Sequence, residues 1–334
     1  MIFLDIEFHY YITYLVALKA GFNKEESKII ATSAQLVDDN VEVNYIENGE
    51  GEIYKTYISQ TANILKPDNE LFRIYPIFHF VPGDPFAFSA RRKDGIMHIL
   101  NTTPNNENAL YLMNKALKSG DLYRVGIAIH AYADTWAHQN FTGYYSYFNG
   151  LSGVLERAIP NIGHADAKHK PDQVSLIWKD ERLITENEVV DNNLRFLEAT
   201  SHILELLAGY KKENVKDKDN FINKISNIFS LRGHREYHKE RRKDRYHELS
   251  VQLSGEKIPE YNKYNWFENA VEVFDEESMF LPNLNYNEVN YIWKNNEYKD
   301  SSFYLFSEAV KNHQIEGEKL FQKQEYNFLE LVKW

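Results

Sequence analysis

His130, Asp134 and His138 recur every fourth residue in one run, Gly126-Ile-Ala-Ile-His-Ala-Tyr-Ala-Asp-Thr-Trp-Ala-His-Gln-Asn-Phe141. On a helix of 3.6 residues per turn that spacing stacks all three on one face. The residues between them, Ala131, Tyr132, Ala133, Trp136 and Ala137, are small or aromatic, so the face looks into an interior. Imidazole and carboxylate are preferred nitrogen and oxygen ligands of zinc and related ions. With 12 His in 334 residues, such a triplet arises by chance only ~0.02 times per chain. The run therefore demands a helical core closed around a metal-grade face.

Composition narrows the rest. Nine Pro and fifteen Gly are few for 334 residues, which favours helices over turn-rich β structure. The absence of Cys removes disulfides and thiolate chemistry and leaves His, Asp and Glu as the strong ligands. A net charge of −11 disfavours long duplex nucleic acid as a partner. A small phosphate substrate stays compatible, because bound cations reverse the sign locally. The first residues lack the basic start of a signal peptide, and no run of 18 apolar residues is present. Both point to a cytoplasmic chain without a transmembrane segment.

Periodicity and caps place helices at 10–20, 24–39, 105–118, 121–140, 191–210, 220–231, 234–249 and 301–322, with Asn23 and Glu26 as a capping box for the second. A hairpin is expected within 44–62, around Asn48-Gly49. Prolines 76, 82 and 85 make the surroundings of His79 extended, and 143–178 reads as irregular. The expected class is all-α, a multi-helix bundle with a small hairpin insertion. Its metal-binding core would span 1–210 and a helical extension 211–334, within one domain or two.

Six histidines fall in a pattern before residue 170: His9, His79, His130, His138, His164 and His169. Glu7, Asp38, Asp39, Asp84, Asp134, Asp166 and Asp172 accompany them. A cluster of two or three metals needs about eight to ten protein ligands, and the supply matches. Glu7 and His9 flank Phe8 and face one way if extended. Asp38 and Asp39 end an apolar helix where carboxylates oppose the macrodipole, which suggests a compensating cation. Small residues around His164 let backbone and metal approach closely, and His169, Asp166 and Asp172 compete for one further place. The stretch 234–247 carries Glu236, Glu240 and Asp244 among its basic residues, as expected of a solvated, salt-bridged helix face. No phosphate loop, dinucleotide fingerprint or Gly-x-Ser-x-Gly elbow occurs.

In this order the residues resemble the zinc-dependent phospholipases C of bacteria and the single-strand-specific zinc nucleases of fungi and plants. They look still more like an uncharacterised bacterial family that shares Phe8-His9-Tyr10-Tyr11, Val37-Asp38-Asp39, His130-Ala-Tyr-Ala-Asp134-Thr-Trp-Ala-His138 and Gly163-His164-Ala-Asp166-Ala-Lys-His169. The likeness covers roughly residues 5–175. It implies an all-α enzyme with a multi-zinc cluster, and a metal set of Glu7, His9, Asp39, His79, His130, Asp134, His138, His164 and His169. Asp134 would bridge two cations, one held with Asp39, His79 and His130 and the other with His138, His164 and His169. Asp38 would act as general base or orient a ligand imidazole. Where the secreted enzymes use a processed N-terminal Trp, this chain has Met1, and Glu7 is the substitute on offer.

The function expected is hydrolysis of a phosphodiester, in a nucleotide, oligonucleotide or phospholipid, by water activated on two or three Zn2+ or other divalent transition ions. Its catalytic residues would be Asp134 and Asp38. The rival is a metal-stabilised scaffold or sensor without catalysis. A di-iron carboxylate protein would need paired Glu-x-x-His motifs, which the ligand region lacks.

Overall fold

The computed structural model describes residues 6–61, 71–151, 162–233, 236–273 and 291–323. A π-helical turn, Glu7–Ile12, leads directly into α1 (Thr13–Lys19). Helix α2 (Lys24–Asp39) starts on the Asn23/Glu26 capping box and satisfies two otherwise orphaned amides at once. Strands β1 (Tyr45–Glu47) and β2 (Ile53–Lys55) form the hairpin. Its turn is wider than an Asn-Gly pair alone would make, because the Glu47 carboxylate accepts from the amides of Gly49 and Gly51.

Around His79 the chain is not extended. Tyr75–His79 is a second π-helical turn with Pro76 at its start, where a missing amide hydrogen costs nothing. Helix α3 (Glu107–Ser119) is capped by Asn106, and α4 (Leu122–Ala137) by Asp121. A short strand pair follows, β3 (Ile177–Lys179) with β4 (Val189–Asp191). Then come α5 (Asn192–Lys211), α6 (Lys218–Phe229), α7 (Glu236–Ser254), α8 (Asn265–Ala270), β5 (Val271–Val273), β6 (Tyr291–Trp293) and α9 (Ser302–Lys323). His234, the expected first residue of the seventh helix, lies outside the described residues.

Helix α4 is the axis of the core. It packs against α2, α3, α5 and α9, and every residue from Val125 to Ala137 is buried. Gly126 makes the α2 contact possible: a Cβ there would lie 2.3 Å from the Ile30 carbonyl oxygen and 2.6 Å from Ser33 Cβ. With α2 this close, the Asp38 carboxylate at its C-terminal turn reaches the His face of α4.

Two sheets overturn the all-α expectation. One has four strands in the order β2-β1-β6-β5, with β1 parallel to β6 and the other pairs antiparallel, and the second is the β3-β4 pair. The fold is a helix-rich mixture of α and β. The hairpin is no separate insertion, since β6 from the far end of the chain pairs with it. Among the described residues no helix is long and apolar enough to cross a membrane.

Candidate metal centre

Five segments bring ligand-type side chains to one place. The first π-helical turn supplies His9, the C-terminal turn of α2 supplies Asp38, and the second π-helical turn supplies His79. Helix α4 supplies His130 and Asp134, and His138 caps its end. His164 and Asp172 come from the turn-rich segment that follows Ile162. Among the described residues these eight form three buried groups with ligand atoms within 4.8 Å of one another: His9/Asp38/His130, His79/His130/Asp134 and His138/His164/Asp172. π-Helical turns re-aim side chains relative to α-helix and recur at functional sites. Here two of them aim His9 and His79 at Asp134.

The hydrogen bonds of the rings fix which nitrogens face inward to ligate. His130 Nδ1 lies 2.8 Å from the Ala34 carbonyl oxygen. His138 Nδ1 lies 2.7 Å from the His79 carbonyl oxygen, and His164 Nδ1 2.8 Å from that of Lys168. A carbonyl only accepts, so in the neutral ring each of these nitrogens carries the hydrogen and the opposite Nε2 carries the lone pair. Those Nε2 atoms face carboxylate oxygens: His130 and Asp134 Oδ2 at 3.2 Å, His138 and Asp172 Oδ1 at 3.3 Å, His164 and Asp172 Oδ2 at 3.3 Å. Two acceptors at such a distance repel unless a cation lies between them. Backbone carbonyls behind the rings are also the usual outer partners of metal-ligating histidines.

His9 adds to the demand. Its ring stacks on His130 with centroids 3.8 Å apart, and its Nε2 is 3.3 Å from Asp134 Oδ1. Among the described residues neither ring nitrogen of His9 has a hydrogen-bond partner, and the same holds for Asp38 Oδ2, Asp134 Oδ1 and both Asp172 oxygens. Unsatisfied polar atoms are costly in an interior and call for an explanation. A nitrogen and oxygen donor set of this kind fits zinc and related divalent ions.

Protonation reinforces the picture. Burial pulls the His79 and His130 imidazoles down to about 4, so both are neutral and ready to ligate near pH 7. Burial also lowers His164. For Asp134 burial works upward, but the neighbouring His138 and His130 rings hold it well below the usual carboxylate range. Asp38 is pushed well up by burial and by the negative charge of Asp134. Burial opposes the charged form of His138 too, yet Asp134 and Asp172 outweigh it and raise the ring.

Three expected ligands sit elsewhere. Glu7 makes a bidentate pair with Arg242 of α7, at 2.7 and 2.9 Å, because the turn points it away from His9. Asp39 accepts a 2.7 Å hydrogen bond from the Tyr261 hydroxyl, leaving the inner position to Asp38, whose Oδ1 is 3.7 Å from His130 Nε2 and 3.8 Å from His79 Nδ1. His169 belongs to none of the three groups, and Asp172 takes the place for which it competed. The bridging geometry differs as well. Asp134 turns Oδ1 to His9 and Oδ2 to His79 and His130, while the lone pair of His138 points away to Asp172. Sequence reading missed Arg242, which also donates to the Leu231 and Gly233 carbonyls. Nothing local distinguished it from its solvated basic neighbours.

The structure thus contains buried His and Asp groups able to hold metal ions. No curated protein and no solved structure matches the chain. Residues 4–319 match DUF6765, a family of unknown function, and the chain belongs to that family.

Proposed function

We propose that the chain is a metal-dependent phosphodiester hydrolase. The observation that carries this reading is the set of facing acceptors, three imidazole lone pairs set against Asp134 and Asp172 with their far nitrogens on backbone carbonyls. The chain order His9, Asp38, His79, His130, Asp134, His138, His164, Asp172 also follows the ligand order of the zinc phospholipases C and zinc nucleases, with Asp172 as the closing carboxylate.

Asp38, His79, His130 and Asp134 would hold one ion, and His138, His164 and Asp172 another. His9 with Asp134 Oδ1 offers a third place. Divalent cations bound there would acidify water and neutralise charge on a phosphoryl group. The chain's own part is positional. The Ala34, His79 and Lys168 carbonyls fix three rings in one tautomer. Asp134 stays ionised between the groups on its two oxygens. Burial keeps bulk water out, which strengthens every charge interaction inside.

One observation favours a second reading, a closed structural centre: His9, His130 and Asp134 are at most 1 % exposed. Structural sites are coordinatively closed, whereas catalytic ones keep a position for water. Turnover of bis(p-nitrophenyl) phosphate by zinc-loaded protein, with and without chelator, separates the two. The hydrolase reading expects activity that chelator removes and zinc restores, with Asp172→Ala slower by roughly a hundredfold. Full metal occupancy without turnover would leave the structural centre.

A further inference from the structure

Between Pro82 and Thr102, which pair as an isolated antiparallel bridge, the chain makes an excursion with an unusual division of labour. Its backbone is pinned. The Asp84 carboxylate accepts from the Phe86 amide, the Asn187 amide donates to the Phe88 carbonyl, and the Asp94 carboxylate accepts from the Ile96 amide. Arg92 is buried, bonded to Asp94 and to the Phe148 carbonyl. The large apolar side chains point the other way: Phe86 is 70 % exposed, Phe88 55 %, Ile96 53 %, Met97 57 % and Ile99 50 %. Single exposed apolar residues need no explanation, but five within fourteen positions of a pinned loop do.

We propose that this loop is a membrane-docking surface that inserts its apolar tips into the interface of a phospholipid bilayer. The tips are knobs on a reversing chain, and a protein partner would need matching holes for them. A fluid bilayer needs none, and buried apolar area alone sets the strength of such contacts. Cations lie among the tips. Arg91 stacks on the Phe88 ring at 5.1 Å and meets no carboxylate among the described residues, and Lys93 shares the single carboxylate of Glu188 with Lys179, at 2.6 and 3.0 Å. Aromatic and basic residues side by side are the composition of the headgroup level. A second copy of the chain is a poorer occupant, because two molecules of net charge −11 repel. The base of the loop adjoins the metal centre: Phe80 stacks on His138 at 4.3 Å, and the Thr102 amide donates to the Phe141 carbonyl. Docking would therefore fix the orientation of that centre to the bilayer, although binding does not depend on hydrolysis.

Flotation with phosphatidylcholine vesicles, with and without phosphatidylglycerol, tests this on the full metal-containing chain. Wild type is expected to float with the vesicles. Phe86→Ser with Met97→Ser is expected to weaken partitioning at least about tenfold, with circular dichroism and metal content unchanged. Wild type that floats with neither composition would overturn the proposal, as would a double variant that floats equally well. So would a dimer, seen by sedimentation velocity without lipid, that the same substitutions abolish, since the occupant would then be a second copy.

Discussion

Asp134 concentrates the chemistry of the centre in one carboxylate. His9, His79 and His130 lie 3.2–3.3 Å from its oxygens and His138 Nδ1 lies 3.4 Å away. Asp134→Asn keeps the shape and removes the charge, so metal should be lost from the inner groups while His138, His164 and Asp172 keep theirs. The rings also set a pH dependence. His79 and His130 fall from about 6.5 to about 4 on folding. The unfolded chain then binds protons more readily, so their contribution is whole above pH 6.5 and drains away as pH falls toward about 4. His138, raised on folding, works in the opposite direction: its contribution is present at low pH and disappears as pH rises through its elevated value. His164, lowered as well, acts in the same direction as His79 and His130. Thermal melts of chelated protein should show the midpoint falling with acidification across that window. Saturating zinc should move the fall to lower pH, because metal and protons compete for the same nitrogens.

Elements hold these residues in register through two features that single changes can break. Gly126→Ala would gain about 1 kcal/mol of helix propensity. The new Cβ, however, meets the Ile30 carbonyl oxygen, and separating α2 from α4 costs about 1–3 kcal/mol as overpacking. The clash should win, read as a lower urea midpoint together with weaker metal retention. Arg242→Met strands the buried Glu7 carboxylate and should cost about 3–5 kcal/mol, whereas adding Glu7→Leu should recover much of that loss. These elements also mark what a sequence can disclose. The α4 face was legible because a period of four repeats through an apolar helix. Asp38 and Asp39 were not separable, since neighbours at a helix end differ by about 100° and only packing decides which points inward. Asp172 could not be preferred to His169 because turns have no period. The three-residue strands are too short to show alternation, and the partner of Glu7 lies 235 positions away.

Across the whole molecule the far end of the chain completes what the near end begins. Strand β6 pairs with β1, Arg242 locks the turn that carries His9, and the Tyr10 hydroxyl donates to the Pro259 carbonyl. Tyr54 of the hairpin reaches Glu308 of α9. A chain ending at residue 210 should therefore fail to fold and to retain metal, measurable by circular dichroism and metal content of the refolded fragment. The claim beneath every other is that the facing acceptors are held together by cations. Plasma mass spectrometry of the full chain tests it directly, counting transition metal per molecule in wild type and in Asp172→Ala. At least two zinc-type ions in wild type, with a single ion lost in the variant, is the predicted result. A folded chain that carries no transition metal and takes up none from zinc buffer would contradict it.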